Sequence, residues 1–321
     1  MIDSSNMFKD TLLLAPMAVV TDTVYRKLCR EYGADLVVTE MVSAEGLHYN
    51  SKKTEELFAL SDWDRPCGVQ LFGADPQKLG DAAKYVADSV SPAFIDLNSG
   101  CPVKKVVSKN GGSALLKDPI LFGKIIEAMA KATDTPVTVK IRAGWNTGHW
   151  VEAEFGKIAQ ESGAQAIAIH PRSRAMGYSG EADWERIRVL KEAVDIPVIG
   201  NGDVTCGDDA VRMFKETGCD AIMIARGTYG NPWIFREIKE TLAGKPVTQV
   251  TMQEKLSTAR HHIALFSEHY GIEKPLGEMK KHLAWYFKGF PRAAELRNAV
   301  MRAQKVEDVE EVFKIAESIV L

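Results

Sequence analysis

The feature that most constrains the fold of this chain is a regular alternation of short apolar runs with amphipathic segments. Each apolar run is flanked by turn-forming residues such as Gly and Pro, so we interpret it as a buried strand. The eight runs lie at residues 12–15, 35–38, 68–71, 94–97, 136–141, 166–169, 197–199 and 221–224. Segments of helical periodicity lie between most of them, at residues 22–32, 76–89, 119–131, 151–161, 184–193 and 208–217, and another follows at 232–242.

Strands that are apolar on both faces are typical of a parallel sheet covered by helices. Eight strand–helix units in a single chain therefore predict an α/β protein with a (β/α)8 TIM barrel. A doubly wound open sheet is the alternative, but it needs fewer strands and a glycine-rich first turn. The first turn here reads APMA, from Ala15 to Ala18, and contains no glycine.

The chain changes character after the eighth unit. Residues 243–250 form a plausible linker, and from residue 252 onward no strand pattern remains. Helical segments at 252–270, 276–287, 293–304 and 306–320 predict a C-terminal all-helical bundle. We therefore divide the chain into a barrel domain at 1–242, a linker at 243–250 and a helical domain at 251–321.

Composition narrows the class of protein without identifying it. The net charge of −3 gives no global signature of nucleic-acid binding, so any such binding depends on local patches. The five cysteines are odd in number and form no CxxC pair, which argues against a disulfide framework or a metal site. No signal peptide and no membrane-spanning apolar run are visible. We expect a cytoplasmic protein with no membrane contact and no evident protein partner.

Polar side chains occur at the ends of seven of the eight predicted strands, where a barrel of this type places its active site. In strand order the strand-end residues are Met17; Glu40; Gln70; Asn98 with Cys101; Lys140 with Arg142; His170 with Arg172; Asn201 with Asp203; and Ala225 with Arg226. The strands themselves are otherwise apolar, so this placement indicates a binding or catalytic site.

The last two strand ends favour a phosphate. Gly200 to Asp203 and Ala225 to Gly227 are glycine-containing turns that precede helices, and backbone N–H groups in such turns bind anions. Gln70, Asn98 and Lys140 add two amides and a cation, which suit the polar edge of a planar heterocycle. Flavin mononucleotide (FMN) satisfies both halves of this pattern.

The fourth strand end carries the most reactive group. Cys101 lies in the turn Asn98-Ser99-Gly100-Cys101-Pro102. Four lysines follow it up to Lys117, and no acidic residue lies between Val103 and Lys117. A thiol at a strand end, beside an amide and rimmed by cations, indicates a reactive site that faces an anionic substrate.

Nine short motifs follow the predicted strand ends and continue into the helical domain: LAPMA (14–18), TEMVSA (39–44), VQLFG (69–73), DLNSGCPVKKV (96–106), VKIRAGW (139–145), HPRSRAMGYSGEADW (170–184), GNGDV (200–204), ARGTYGNPWIF (225–235) and KHLAWYFKG (281–289). By these motifs the chain resembles the bacterial tRNA-dihydrouridine synthases from about residue 12 to its C-terminus. The string from Asn98 to Val106 is the most specific of them. Two positions depart mildly from the family pattern, Ser99 and Asn231.

The resemblance implies an FMN-containing barrel, a helical domain that helps to hold tRNA, and NADPH or NADH as the reductant. Reduced FMN would deliver hydride to C6 of a D-loop uridine, and Cys101 would donate the proton to C5, giving 5,6-dihydrouridine. Residues assigned to FMN are Pro16, Met17, Ala18, Gln70, Lys140, His170, Asn201, Gly202, Asp203, Ala225 and Arg226. His170 and Arg172 could each hold either flavin phosphate or the base.

For the RNA substrate we assign Asn98 to the uracil edge and Lys104 and Lys105 to RNA phosphate. Arg142 and Arg172 are further predicted substrate-binding residues. The helical domain adds a basic segment with eight cations and two acids, a local charge of +6. The cations are Lys274, Lys280, Lys281, Lys288, Arg292, Arg297, Arg302 and Lys305. Among these, Lys281, Lys288 and Arg292 are the predicted tRNA contacts.

Two rival functions remain open from the sequence. A small-molecule FMN oxidoreductase of the pyrimidine or dihydroorotate type would share the barrel and the cofactor, but it would not need the basic helices. A non-catalytic RNA-binding barrel would share the helices but lack the flavin.

Overall fold

In the computed structural model, which describes residues 7–49, 51–271 and 276–320, eight parallel strands close into a barrel. Each strand pairs with the next along the chain, and the last pairs with the first. The strands are β1 (Thr11–Leu14), β2 (Leu36–Ser43), β3 (Cys67–Phe72), β4 (Phe94–Ser99), β5 (Val137–Gly144), β6 (Ala166–Ser173), β7 (Val198–Asn201) and β8 (Ala221–Ile224). The predicted TIM barrel is confirmed.

Helices cover the outside of the barrel. They are α1 (Thr23–Glu31), α2 (Ala44–His48), α3 (Lys52–Glu56), α4 (Pro76–Val90), α5 (Lys104–Val107), α6 (Pro119–Ala132), α7 (Glu152–Glu161), α8 (Glu185–Ala193), α9 (Gly207–Thr217) and α10 (Ile234–Leu242). The C-terminal helices are α11 (Met252–Tyr270), α12 (Lys280–Tyr286), α13 (Ala293–Arg302) and α14 (Val306–Val320). The short helices α2, α3 and α5 were not expected, because one turn leaves no clear periodicity in a sequence.

Local signals explain where the longer barrel helices begin. The Asp75 carboxylate accepts a hydrogen bond from the Lys78 backbone N–H at the start of α4, and Pro76 occupies the first turn. Asp118 caps α6 in the same way through the Leu121 N–H, again with a proline in the first turn. A capping carboxylate followed by proline favours helix initiation at that point.

The two-residue period of each strand decides which side chains enter the barrel. Along β4, Phe94, Asp96 and Asn98 face inward, and Ile95 and Leu97 join the outer core beneath the helices. Phe94 belongs to an apolar layer that fills the lower barrel, and Gly68 makes room for it, since a Cβ there would lie 2.3 Å from the ring. Polar residues occupy the layers above, towards the carboxyl ends of the strands.

The strand register then brings predicted site residues together. Asn98 on β4 pairs with Lys140 on β5, and Arg142 on β5 pairs with His170 on β6. These positions are therefore neighbours at the carboxyl-terminal face of the barrel, which is where the sequence analysis expected a site.

The C-terminal helices pack against the barrel on the side of α1. The Tyr32 hydroxyl lies 2.6 Å from Thr258 Oγ1, and Tyr229 stacks on Trp285 with ring centroids 4.0 Å apart. One apolar cluster runs from the outer barrel layer into α11, α12, α13 and α14. The division of the chain at residues 243–250 remains a prediction, and Lys274 lies outside the described residues.

None of the helices in the described ranges combines the length and the apolar character that a membrane span requires.

Candidate active site

A cavity of about 450 Å³ opens at the carboxyl-terminal face of the barrel. Thirteen of the residues predicted from the sequence line it: Pro16, Met17, Ala18, Asn98, Cys101, Lys140, Arg142, His170, Asn201, Gly202, Asp203, Ala225 and Arg226. Gln70 and Arg172 are not among the lining residues, and neither are Lys104, Lys105, Lys281, Lys288 and Arg292. The fold thus gathers strand-end residues that are widely separated in sequence into one concave site.

A chain of hydrogen bonds runs through the floor of this cavity and sets the position of Asn98. Asp96 accepts from Thr138 Oγ1 at 2.7 Å and from Gln70 Nε2 at 2.7 Å. Gln70 Oε1 accepts from Asn98 Nδ2 at 2.8 Å, and Asn98 Oδ1 accepts from the Cys101 backbone N–H at 2.9 Å. Because a carboxylate accepts at one end and a backbone N–H donates at the other, both amide orientations are determined.

Gln70 therefore lies one layer below the cavity. It has no exposed surface, and both of its amide atoms are used inside the protein. Burial raises the pKa of Asp96 to about 6, although the hydrogen bonds from Gln70 and Thr138 oppose this shift. Direct contact between Gln70 and a cofactor stays a prediction, and its observed role is to orient Asn98.

Hydrogen bonds to the backbone of Cys101 and of the preceding Gly100 hold this loop in place. The Cys101 N–H is bound by Asn98, its carbonyl oxygen accepts from Ser113 Oγ at 2.9 Å, and the preceding Gly100 carbonyl accepts from Arg142 Nε at 2.9 Å. Partial burial raises the pKa of the Cys101 thiol, with smaller opposing effects from the Val103 backbone and Arg142. The side chain therefore stays a protonated thiol at neutral pH, as a proton donor requires.

Lys140 is a cation with no hydrogen-bond or ion-pair partner among the described residues, and it faces the cavity. Burial lowers its pKa to about 8, nearby Arg142 lowers it further, and Asp96 opposes both. An ammonium that is largely desolvated and has no ion-pair partner among the described residues favours a ligand that brings acceptor atoms or negative charge to it.

Arg172 is occupied within the protein. It is 2 % exposed and donates to both carboxylate oxygens of Asp203, at 2.9 and 2.6 Å, and to the Ser179 and Gly180 carbonyls. Its Nη1 also lies 3.3 Å from His170 Nε2. Because arginine can only donate, that nitrogen accepts, and the His170 proton resides on Nδ1. Substrate contact by Arg172 remains a prediction.

His170 is neutral in this environment. Burial lowers its pKa to about 2, and Lys140, Arg142, Arg172 and Arg226 all act in the same direction. It therefore presents a neutral imidazole, not a cation, to the cavity that it lines.

The turns after β7 and β8 line one part of the cavity and carry unbonded backbone N–H groups, an arrangement that favours an anion. Gly202 has φ +135° and Asp203 has φ +56°, and a Cβ on Gly227 would lie 2.3 Å from the Val204 carbonyl oxygen. Within the described ranges, no acceptor lies within bonding distance of the backbone N–H groups of Asp203, Val204, Arg226 and Gly227. Asn201, the last residue of β7, donates to the Met223 carbonyl of β8 at 2.7 Å and so joins the two strands just below these turns.

Sequence reasoning missed several contributors to the site. Tyr178 lines the mouth and is 57 % exposed, with its ring 4.5 Å from the Arg226 guanidinium and 5.5 Å from that of Arg142. The only local signal was its place in a glycine-rich loop between two turns. Asp96 was read as part of an apolar strand, although a carboxylate inside a barrel needs partners from neighbouring strands.

The predicted RNA-contacting residues outside the cavity differ in whether their charged groups are bonded within the protein. Lys104 and Lys105 begin α5 and are exposed. Lys281 donates to the Val19 carbonyl, and Arg292 pairs with Glu295 at 2.5 Å. Lys288 is exposed, and its ammonium has no partner in the described part of the chain. These contacts stay predictions, and Lys288 is the one of these three C-terminal residues whose charged group has no hydrogen bond or ion pair within the described residues.

The sequence of this chain is similar to a protein-family profile and to several known proteins. The sequence profile of the dihydrouridine synthase family matches residues 13–319. The tRNA-dihydrouridine synthase B of Pseudomonas aeruginosa is 41% identical over 297 residues, covering 92% of this chain and 89% of the relative. A probable tRNA-dihydrouridine synthase of Mycobacterium tuberculosis is 39% identical over 311 residues, covering 93% and 80%.

Among solved structures, histamine dehydrogenase from Rhizobium sp. 4-9 matches with a TM-score of 0.55 at 15% sequence identity. The match covers 77% of this chain, and the chain spans about half, 49%, of that protein. This likeness supports the barrel fold alone. The profile match and the two relatives show that the chain is an enzyme of the dihydrouridine synthase family.

Proposed function

We propose that this protein reduces uridines in the D-loop of tRNA to 5,6-dihydrouridine in the cytoplasm, with FMN as its bound cofactor and NADPH or NADH as electron donor. The observation that carries the proposal is that one cavity holds a protonated thiol, Cys101, and an unpaired cation, Lys140, above a preformed anion site. The tRNA substrate comes from the names of the curated relatives.

The residues present fit FMN at both ends. The free N–H groups after β7 and β8, with Arg226 beside them, would hold the phosphate. Lys140 would meet the polar edge of the ring, where its charge compensates negative charge on a reduced flavin. When bound, the flavin would supply the hydride that is added at C6 of uracil.

The protein then contributes orientation and the proton. Asn98 lines the cavity, and its amide is bonded to Gln70, Met41 and the backbone N–H groups of Gly100 and Cys101, so it would orient the Cys101 loop towards the pyrimidine. Direct contact between Asn98 and the base stays a prediction. Cys101 would donate a proton to C5 of the base. A positioned general acid contributes about 10²–10⁴ in rate. Because burial keeps the thiol protonated, the exposed lysines of α5 do not work against this role.

The decisive experiment replaces Cys101 by alanine and follows a single turnover. Flavin is reduced anaerobically, tRNA is added, and flavin reoxidation and dihydrouridine formation are measured. We expect Cys101→Ala to keep its flavin content and its tRNA affinity and to lose about two to four orders of magnitude in rate. Cys101→Ser should recover little, since a hydroxyl is a far weaker acid than a thiol with a pKa of about 8.5.

Reoxidation of Cys101→Ala by tRNA at the wild-type rate would place the acid elsewhere. The same assay with free uridine and with orotate tests the small-molecule alternative, which requires that these oxidised pyrimidines reoxidise the flavin and that tRNA has no effect. Wild-type protein that binds no FMN would contradict the proposed function as a whole.

A further inference from the structure

Two cations contact the indole ring of Trp145, which lies at the carboxyl end of β5 on the same face of the barrel as the cavity. Lys117 Nζ lies 4.5 Å from the centroid of the indole ring, and the Arg174 guanidinium carbon lies 4.7 Å from a ring centroid of the same side chain. Trp145 follows the last residue of β5, and Arg174 follows the last residue of β6. The Arg174 N–H donates to the Gly144 carbonyl at 2.8 Å, which fixes the two loops together. We call Lys117, Trp145 and Arg174 the indole clamp.

The two cations of the indole clamp are not neutralised. Neither has an acidic partner within the described residues, whereas Arg172, Arg188 and Arg260 all form ion pairs with carboxylates. Contact with an aromatic face attracts each cation electrostatically and limits its rotamers. Two such ordered charges would lose less conformational entropy on binding an anion than mobile surface lysines do.

The closed strand order puts the indole clamp across the mouth from the C-terminal helices. In a ring of eight, β5 lies opposite β1 and β4 lies opposite β8. Lys281 of α12 contacts the loop after β1, and Trp285 stacks on Tyr229 after β8. Lys117 is the last residue of a 3-10 helix (Gly112–Lys117) that is bonded to the Cys101 loop after β4 through Ser113. The indole clamp therefore lies at the carboxyl ends of β4, β5 and β6.

From this placement we propose that the indole clamp binds the phosphodiester backbone of the RNA substrate on the side of the target nucleotide away from the C-terminal helices. A nucleotide drawn into the cavity leaves its chain crossing the mouth, so its two flanks pass over opposite edges of the barrel. The helices hold one flank and the clamp holds the other. This inference rests on the proposed function, because it requires an RNA substrate.

The test is the salt dependence of tRNA binding by the full-length, FMN-loaded protein. Each phosphate contact contributes about 0.7–0.9 to the slope of log K against log salt concentration. The double variant Lys117→Ala/Arg174→Ala should therefore lower the slope by about 1.4–1.8. Flavin content, read from visible absorbance, should not change. Trp145→Ala should weaken tRNA binding with both cations retained, and Trp145→Phe should restore most of it.

A matched control removes two positive charges elsewhere. Lys157 on α7 and Lys215 on α9 are exposed and have no acidic partner among the described residues, so Lys157→Ala/Lys215→Ala should leave the slope unchanged. An unchanged slope in the clamp variant, with wild-type protein still binding and reducing tRNA, would overturn the inference alone. An equal fall of the slope in the control variant would show that the effect comes from net charge and not from the indole clamp, and it would also overturn the inference. Failure of wild-type protein to bind tRNA would instead contradict the proposed function.

Discussion

At the scale of single residues, Lys140 illustrates how burial converts a common side chain into a specific one. The strand period turns it into the barrel, Arg142 adds like charge beside it, and the nearest carboxylate influence, Asp96, lies one layer below. The result is a pKa of about 8, which leaves the ammonium incompletely protonated just above neutral pH. A ligand with acceptor atoms would stabilise the protonated form and raise this pKa.

This shift predicts how flavin affinity changes with pH. Binding favours protonated Lys140, so the affinity of apoprotein for FMN should fall as pH rises through about 8, the pKa in the free protein. Fluorescence titration between pH 7 and 9.5 measures it. Lys140→Gln should bind more weakly at pH 7 and show a flatter profile over the same range. A wild-type profile as flat as that of the variant would contradict the assignment of Lys140.

At the scale of elements, the turn between β1 and α1 has a strained backbone that hydrogen bonds from two other elements hold in place. Val19 has φ +61°, a left-handed conformation that β-branched residues rarely adopt, and it is 65 % exposed. Its N–H donates to Glu40 Oε2 at 2.7 Å, and its carbonyl accepts from Lys281. Bonds from β2 and from α12 therefore hold the turn in a conformation that valine itself disfavours, directly after the residues that line the cavity.

Replacing Val19 by glycine should stabilise the protein. A left-handed conformation costs an L-residue about 1–2 kcal/mol, and glycine avoids this cost. Against it stands the larger backbone entropy of glycine in the unfolded chain, about 0.4–1 kcal/mol. The expected net effect is a rise of about 0.5–1 kcal/mol in the free energy of unfolding. Urea denaturation measures this, with Val19→Ala as the comparison that keeps the strain. A lower midpoint for Val19→Gly than for Val19→Ala would refute it.

At the scale of the whole molecule, a buried histidine pair joins the barrel to the C-terminal helices. His262 and His282 have ring centroids 5.1 Å apart and both pack against Tyr25 of α1. His262 Nδ1 lies 3.1 Å from the Tyr286 hydroxyl, and neither ring nitrogen of His282 has a hydrogen-bond partner within the described ranges. Burial lowers the pKa of His262 to about 3 and lowers that of His282 well below its usual value.

This pair predicts a loss of stability in acid. Between the ordinary histidine pKa of about 6.5 and the lowered values in the folded state, the unfolded chain binds more protons than the folded one. The free energy of unfolding should therefore fall as pH drops below about 6.5, by at most about 1.4 kcal/mol per pH unit for each histidine. His282→Phe, or His282→Leu if the larger ring is not accommodated, should reduce the difference in urea midpoint between pH 8 and pH 5. An unchanged difference in both variants would exclude His282 as a source of acid sensitivity.

The sequence by itself determined the eight strand–helix units, because apolar periodicity and turn residues are local signals that survive without tertiary information. It also determined that Cys101, Asn98, Lys140 and His170 would meet, since parallel strands in a barrel all end on one face. The family followed from the same strand-end motifs. These inferences needed only the order of residues along each strand.

Only the tertiary structure decided which of these residues are free to act. Gln70 and Arg172 have the same strand-end signature as Lys140, yet both are used within the protein, by Asn98 and Asp203 respectively. The ring of Trp145 contacts the cations of Lys117, at the end of a 3-10 helix, and Arg174, in the loop after β6. The partners of a side chain depend on strand register and on how loops pack. Both bring together residues that are tens of positions apart in the sequence, and no local sequence pattern relates such residues.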